Sequence, residues 1–116
     1  MRVLLADDEP AQARLLQMHL QDAGHQVELV NDGVEAVARA KEVAFNVIIL
    51  DVMMPNMDGL EALKRIRQDE KHTSTTIIML TAEQTPEDIV KGYSAGANAY
   101  LTKPADPAVV LKMIDG

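Results

Sequence analysis

Five short apolar runs, separated by longer segments of helical period, constrain this chain more than any other feature. They lie at positions 3–6, 27–30, 47–50, 77–80 and 99–101. Val47-Ile48-Ile49-Leu50 and Ile77-Ile78-Met79-Leu80 are unbroken, as central strands covered on both faces must be. Val27-Glu28-Leu29 alternates instead, which suits a half-exposed edge strand.

The segments between the runs carry helix signals. Pro10 sits where a first turn tolerates it, and Ala13, Leu16, Leu20 and Ala23 form one stripe before Gly24 ends the helix. Asp32-x-x-Glu35 and Asp58-x-x-Glu61 read as capping boxes. Thr85-Pro86 and Asp106-Pro107 each place an N-cap residue before a first-turn proline. Five β-then-α units follow, and they predict an α/β domain: a doubly wound parallel sheet with helices on both faces. The 116 residues fit one domain, 1–116. Its last helix, over 107–114, has only about two turns, so the chain is either a natural small domain or the cut edge of a longer protein.

Composition removes several function classes. A net charge of −7 argues against nucleic-acid or anionic-membrane binding by this domain. There is no cysteine, hence no disulfide framework and no thiolate metal site. No apolar run reaches membrane-spanning length, and Asp7-Asp8 interrupts the opening one too early for a signal peptide. The expected location is the cytoplasm.

The chemistry gathers after the runs. In an open parallel sheet, ligands bind beyond the carboxyl ends of the strands, where the strand order reverses. The first run ends in Asp7-Asp8, the third in Asp51, the fourth in Thr81 and the fifth in Thr102-Lys103. Three carboxylates, a hydroxyl and an ammonium thus converge on one rim. At about 5 Å and an effective dielectric of about 20, each carboxylate pair repels by about 3 kcal/mol. One lysine does not neutralise three anions, whereas a hard divalent cation of the Mg²⁺ type would. With no cysteine and no histidine in these loops, the donor set suits zinc poorly. A carboxylate in such a place can act as a nucleophile toward phosphorus and form an aspartyl phosphate.

The set Asp7-Asp8, Asp51-x-x-x-Pro55-x-x-Asp58-Gly59, Thr81-Ala82 and Lys103-Pro104, each after an apolar run, resembles the receiver domain of two-component response regulators. The resemblance covers the whole chain except the final helix, and no expected active-site position is substituted. It implies a flavodoxin-like receiver fold with strand order 2-1-3-4-5. It also implies that Asp51 is the phosphoacceptor, and that Asp8, Asp51 and the backbone carbonyl of Met53 ligate Mg²⁺, with Asp7 acting through water. Lys103 would pair with the phosphoryl group, Thr81 would hydrogen-bond it, and Tyr100 would be the aromatic switch partner. A cis Lys103-Pro104 bond is a further expectation. The implied partners are a sensor histidine kinase or phosphotransfer protein and a downstream effector, for a monomer or a phosphorylation-dependent dimer. Such a domain catalyses its own phosphorylation and dephosphorylation without being a turnover enzyme.

Two other classes use similar parts. A phosphatase with an aspartyl nucleophile usually needs a second acid two residues on, where Met53 stands. A flavodoxin-like electron carrier would need a Ser/Thr/Gly-rich phosphate loop after the first strand, where Asp7-Asp8-Glu9 would repel a phosphate. Among the remaining residues, Asp58-Gly59 reads as a cap and turn, and Met53, Met54 and Met57 as gap fillers. His19 and His25 read as surface or edge residues, and His72 as part of a solvated loop.

Overall fold

The computed structural model describes residues 1–82 and 85–115, so the chain end at Gly116 lies outside the described residues. Five strands form one parallel sheet: β1 (Arg2–Ala6), β2 (Gln26–Val30), β3 (Val47–Asp51), β4 (Thr76–Thr81) and β5 (Ala99–Thr102). Their order is β2-β1-β3-β4-β5, so the side on which successive strands are added switches between β1 and β3. Each of the first four strands leads into a helix that crosses back to the next strand: α1 (Pro10–Asp22), α2 (Gly33–Glu42), α3 (Gly59–Arg67) and α4 (Pro86–Ala95). The fifth helix, α5 (Pro107–Asp115), follows β5 and nearly matches the expected two turns.

The period of two in the strands sorts their side chains into two cores. Leu4, Ile48, Leu50, Ile77 and Met79 pack with Ala36, Val37, Ala62, Leu63 and Ile66, under α2 and α3. Val3, Leu5, Ile49, Ile78 and Leu80 pack with Leu16, Leu20, Val110 and Ile114, under α1 and α5. The central strand β3 is buried along its whole length, while edge strand β2 is only half covered. Both follow from continuous against alternating apolar runs.

The caps form where expected, with two changes. Asp32 accepts the Glu35 N–H at 2.8 Å and Asp58 accepts the Glu61 N–H at 2.9 Å. The return arm of each box goes elsewhere: the Glu35 carboxylate takes the Asn31 N–H, and Glu61 pairs with Arg65. Thr85 accepts the Asp88 N–H, and Asp106 accepts that of Ala108. The buried stripe of α1 stops at Leu20; Ala23 is an exposed C-cap residue, followed by Gly24 at φ 97°.

The histidines depart from the sequence reading. His72 is fully buried, at the end of a 3-10 turn (Glu70–His72). Its ring nitrogens bond to Thr75 Oγ1 at 3.0 Å and to the Ala40 carbonyl at 2.7 Å. The polar stretch around it hid one side chain that plugs the gap between α2 and β4. His19 is exposed, as expected. The His25 side chain is largely covered, accepting from the Met1 ammonium on Nδ1 and lying 3.4 Å from the Asp115 carboxylate.

Candidate functional site

The rim at the carboxyl ends of β1, β3, β4 and β5 is built by strands that stop in register. Val52 donates to the Leu80 carbonyl and Lys103 to the Thr81 carbonyl, both at 2.8 Å, so the three loops are tied side by side. Gly59 lets α3 begin directly against the end of β3. A Cβ there would overlap the Asp51 carbonyl, and the Gly59 N–H reaches the Val52 carbonyl at 2.9 Å. Asp58-Gly59 is therefore structural, as read, and it supports the loop that presents Asp51.

Asp51 and Asp7 are each 3% exposed, which is costly for carboxylates unless they are paired. The Lys103 ammonium supplies the pairing, lying 2.8 Å from Asp51 Oδ2 and 3.2 Å from Asp7 Oδ1. Asp51 Oδ1 also accepts the Met53 N–H at 3.2 Å. Burial pushes the Asp51 carboxyl up to about 6, against the lowering pull of the Lys103 hydrogen bond and charge. For Lys103, burial on its own favours the neutral amine. Hydrogen bonds to Asp51 and Glu9 outweigh it and raise its pKa above the ordinary lysine value. Lys103 is thus a fixed cation, and Asp51 an anion held at a cost.

One carboxylate oxygen from each of Asp7, Asp8, Glu9 and Asp51 lies within 4.8 Å of the others. Four carboxylates against one ammonium leave three negative charges in that small volume. At an effective dielectric of about 20, each pair at this spacing repels by about 3 kcal/mol. An all-oxygen donor set with surplus negative charge fits a hard divalent cation such as Mg²⁺.

The structure brings Asp7, Asp8, Asp51, Thr81 and Lys103 to one rim, with Asp8 exposed and Thr81 buried. Met53 is 73% exposed, so it fills no gap; Met54 and Met57 do pack on the core. The Lys103-Pro104 bond is cis, as expected. Tyr100 stands apart from the rim, half-buried, donating its hydroxyl to the Asp88 carbonyl at 3.2 Å. Its ring is tilted against Tyr93, with centroids 5.7 Å apart. Sequence reasoning missed Glu9, whose carboxylate lies 2.7 Å from Lys103 Nζ. The signal was there: an acid with a long arm occupies the N-cap of α1, where a short capping side chain is the norm.

A doubly wound sheet of order 2-1-3-4-5, with an acid cluster and one buried lysine at its switch-point rim, defines a narrow class of α/β signalling domains. The chain belongs to the response regulator receiver domain family, whose model matches residues 3–115. It is a receiver domain of two-component, phosphorelay signal transduction.

Its relatives are of two kinds. The transcriptional regulatory protein TrcR of Mycobacterium tuberculosis is 46% identical over 103 residues, covering 89% of this chain and 39% of that protein. ResD of Bacillus subtilis, also a transcriptional regulatory protein, is 37% identical over 95% of this chain and 45% of its own length. The chain thus spans about half the length, or less, of these curated relatives. Among solved structures, chemotaxis protein CheY4 of Vibrio cholerae is 41% identical with TM-score 0.92, covering 98% of this chain and 95% of that one. The receiver domain of a Pseudomonas aeruginosa sensor histidine kinase is 32% identical with TM-score 0.90, over 98% of this chain and 93% of that one. In that structure a magnesium ion is coordinated in the active-site cleft. Among the described residues, no helix is long and apolar enough to cross a membrane.

Proposed function

We propose that this domain accepts a phosphoryl group on Asp51 from the phosphohistidine of a sensor kinase or phosphotransfer protein, and that the phosphoryl group switches a protein-interaction face. The observation that carries this reading is the buried Asp51 carboxylate, pushed up to about 6, facing a single lysine amid three further acids. A carboxylate disfavoured as an anion gains by bonding to an electrophile, and the rim holds it in place to do so.

In the transfer, one Asp51 oxygen forms a bond to phosphorus while the phosphorus–nitrogen bond of the donor breaks. The electron pair leaves with the imidazole nitrogen, which takes up a proton. Lys103 donates to the phosphoryl oxygens, and Thr81 offers a hydroxyl from the end of β4. Asp8, Asp51 and the Met53 carbonyl would hold Mg²⁺ directly, and Asp7 through water. When bound, the ion supplies positive charge that offsets the carboxylate repulsion and the charge on the phosphoryl oxygens. Water attack on the aspartyl phosphate returns the domain to its starting state, so it catalyses its own cycle and turns over no separate substrate.

Residues 1–116 act as one receiver unit in the cytoplasm, as a monomer or a phosphorylation-dependent dimer. Its output is a downstream effector protein or domain, in keeping with relatives that are transcriptional regulators. Incubation with a small-molecule phosphodonor, read by intact mass, tests the reading. One phosphoryl group should be added with Mg²⁺ present and none after chelation; no adduct under either condition would refute it.

A further inference from the structure

Lys103 commits all three of its N–H donors to carboxylates: Glu9 Oε1 at 2.7 Å, Asp51 Oδ2 at 2.8 Å and Asp7 Oδ1 at 3.2 Å. The Glu9 bond is the odd one. Glu9 is the N-cap residue of α1, yet its side chain caps nothing; it reaches instead to a lysine 94 positions away. The other two acceptors are buried, whereas the Glu9 side chain is 54% exposed.

We infer that Glu9 is a positioning residue: it holds Lys103 in the unphosphorylated domain and competes with the phosphoryl group for it. The inference rests on Asp51 being the acceptor. A phosphoryl group on Asp51 offers new anionic oxygens, but the ammonium has no fourth hydrogen to give them. Asp51 Oδ2 frees one N–H when its charge passes to the phosphoryl group, and a second bond to the phosphoryl oxygens requires a further carboxylate to let go. Asp7 is poorly placed to do so. It is buried, so bulk water reaches it less readily than Glu9 to replace the ammonium. Glu9 can be released at little cost, because water replaces the ammonium at its exposed carboxylate. Glu9 is therefore the partner exchanged for the phosphoryl group, and its grip sets a tax on phosphoryl binding. An exposed ion pair corresponds to a factor of about two to five in an equilibrium constant.

The test uses beryllofluoride as the phosphoryl mimic, at saturating Mg²⁺, on the whole domain. Fluorine NMR would read the half-saturating concentration for wild type, Glu9→Gln and Glu9→Asp. The Asp variant keeps the negative charge, but its arm is one methylene shorter, and aspartate at an N-cap turns to the first-turn N–H groups. If Glu9 competes through its reach to Lys103, both variants bind beryllofluoride about two- to fivefold more tightly than wild type. Tightening in Glu9→Gln alone would reduce Glu9 to a source of local charge and overturn the inference. So would unchanged binding in both, or weakened binding in either. A wild-type domain that fails to bind beryllofluoride at all would instead strike at Asp51 as the acceptor, and the inference would fall with it.

Discussion

The ring of Tyr100 lies over Gly92, in the space that a Cβ at that position would fill. The glycine gives β5 its close approach to α4 and makes the seat in which the ring is tilted against Tyr93. Gly92→Ala removes the seat. The ring must then leave α4, and its hydroxyl loses the Asp88 carbonyl. The stability change should stay within about 1 kcal/mol, because alanine gains about that much helix propensity over glycine. Urea unfolding would measure the stability, and nuclear Overhauser contacts between the Tyr100 ring and α4 its position. Contacts retained at wild-type strength would show that the helix, not the ring, gives way.

Tyr100 pairs across the sheet with Met79, and Thr81 with Thr102, so Thr81 and Tyr100 are diagonal neighbours on the same face. A phosphoryl group on Asp51 should draw the Thr81 hydroxyl toward its oxygens and open space for the Tyr100 ring. The face that changes should include Ile89, Lys91 and Tyr93 on α4 together with Tyr100. A shift of a few kcal/mol is enough to move a two-state population. Thr81→Ala should bind beryllofluoride yet leave that face as it was. Amide shifts across residues 85–105, with and without the mimic, decide the matter. Equal changes in both proteins would break the proposed coupling.

His72 lies at the opposite end of the sheet from the rim, just before β4 begins. His72→Ala would empty a fully buried site and strip the Ala40 carbonyl of its partner. The expected loss is about 3 kcal/mol in urea unfolding. Beryllofluoride binding to the folded variant should match wild type. A variant of wild-type stability would mean that the ring is dispensable to the packing.

Stability should fall in acid through two carboxylates outside the rim. The Arg39 hydrogen bond holds the Glu28 carboxyl below its ordinary value of 4.5. The Glu35 N–H and the Asn56 amide do the same for Asp32, whose ordinary value is 3.8. A depressed native pKa gives stability that is present above the unfolded-state value and lost as pH falls through the native one. The loss should therefore begin near pH 4.5 and deepen below it. Urea midpoints at pH 7 and pH 3.5 should differ less in a Glu28→Gln, Asp32→Asn double variant than in wild type. An undiminished difference would place the acid sensitivity elsewhere.

The sheet was legible because burial on two faces leaves an unbroken apolar run and burial on one face leaves alternation. The rim was legible because each chemical residue follows directly on a run that had to be a strand. What stayed hidden depended on reach through space. His72 sits among polar neighbours, and only the fold brings it to Thr75 and Ala40. Glu9 reads as one more acid until Lys103 arrives beside it. Arg67 is similar: its guanidinium ties the carbonyls of His72, Thr75 and Gly96 to Asn98, with no periodicity to announce it. The return arms of the capping boxes went to Arg65 and to the Asn31 N–H, partners that the box pattern does not name.

The proposed phosphorylation depends on Asp51 as the single acceptor. Wild type and Asp51→Ala should be incubated side by side with a small phosphodonor and Mg²⁺, and their intact masses followed over time. Wild type should gain one phosphoryl group, and Asp51→Ala should gain none over the same period. A stable adduct on Asp51→Ala, formed at the wild-type rate, would contradict the account and move the chemistry to another residue.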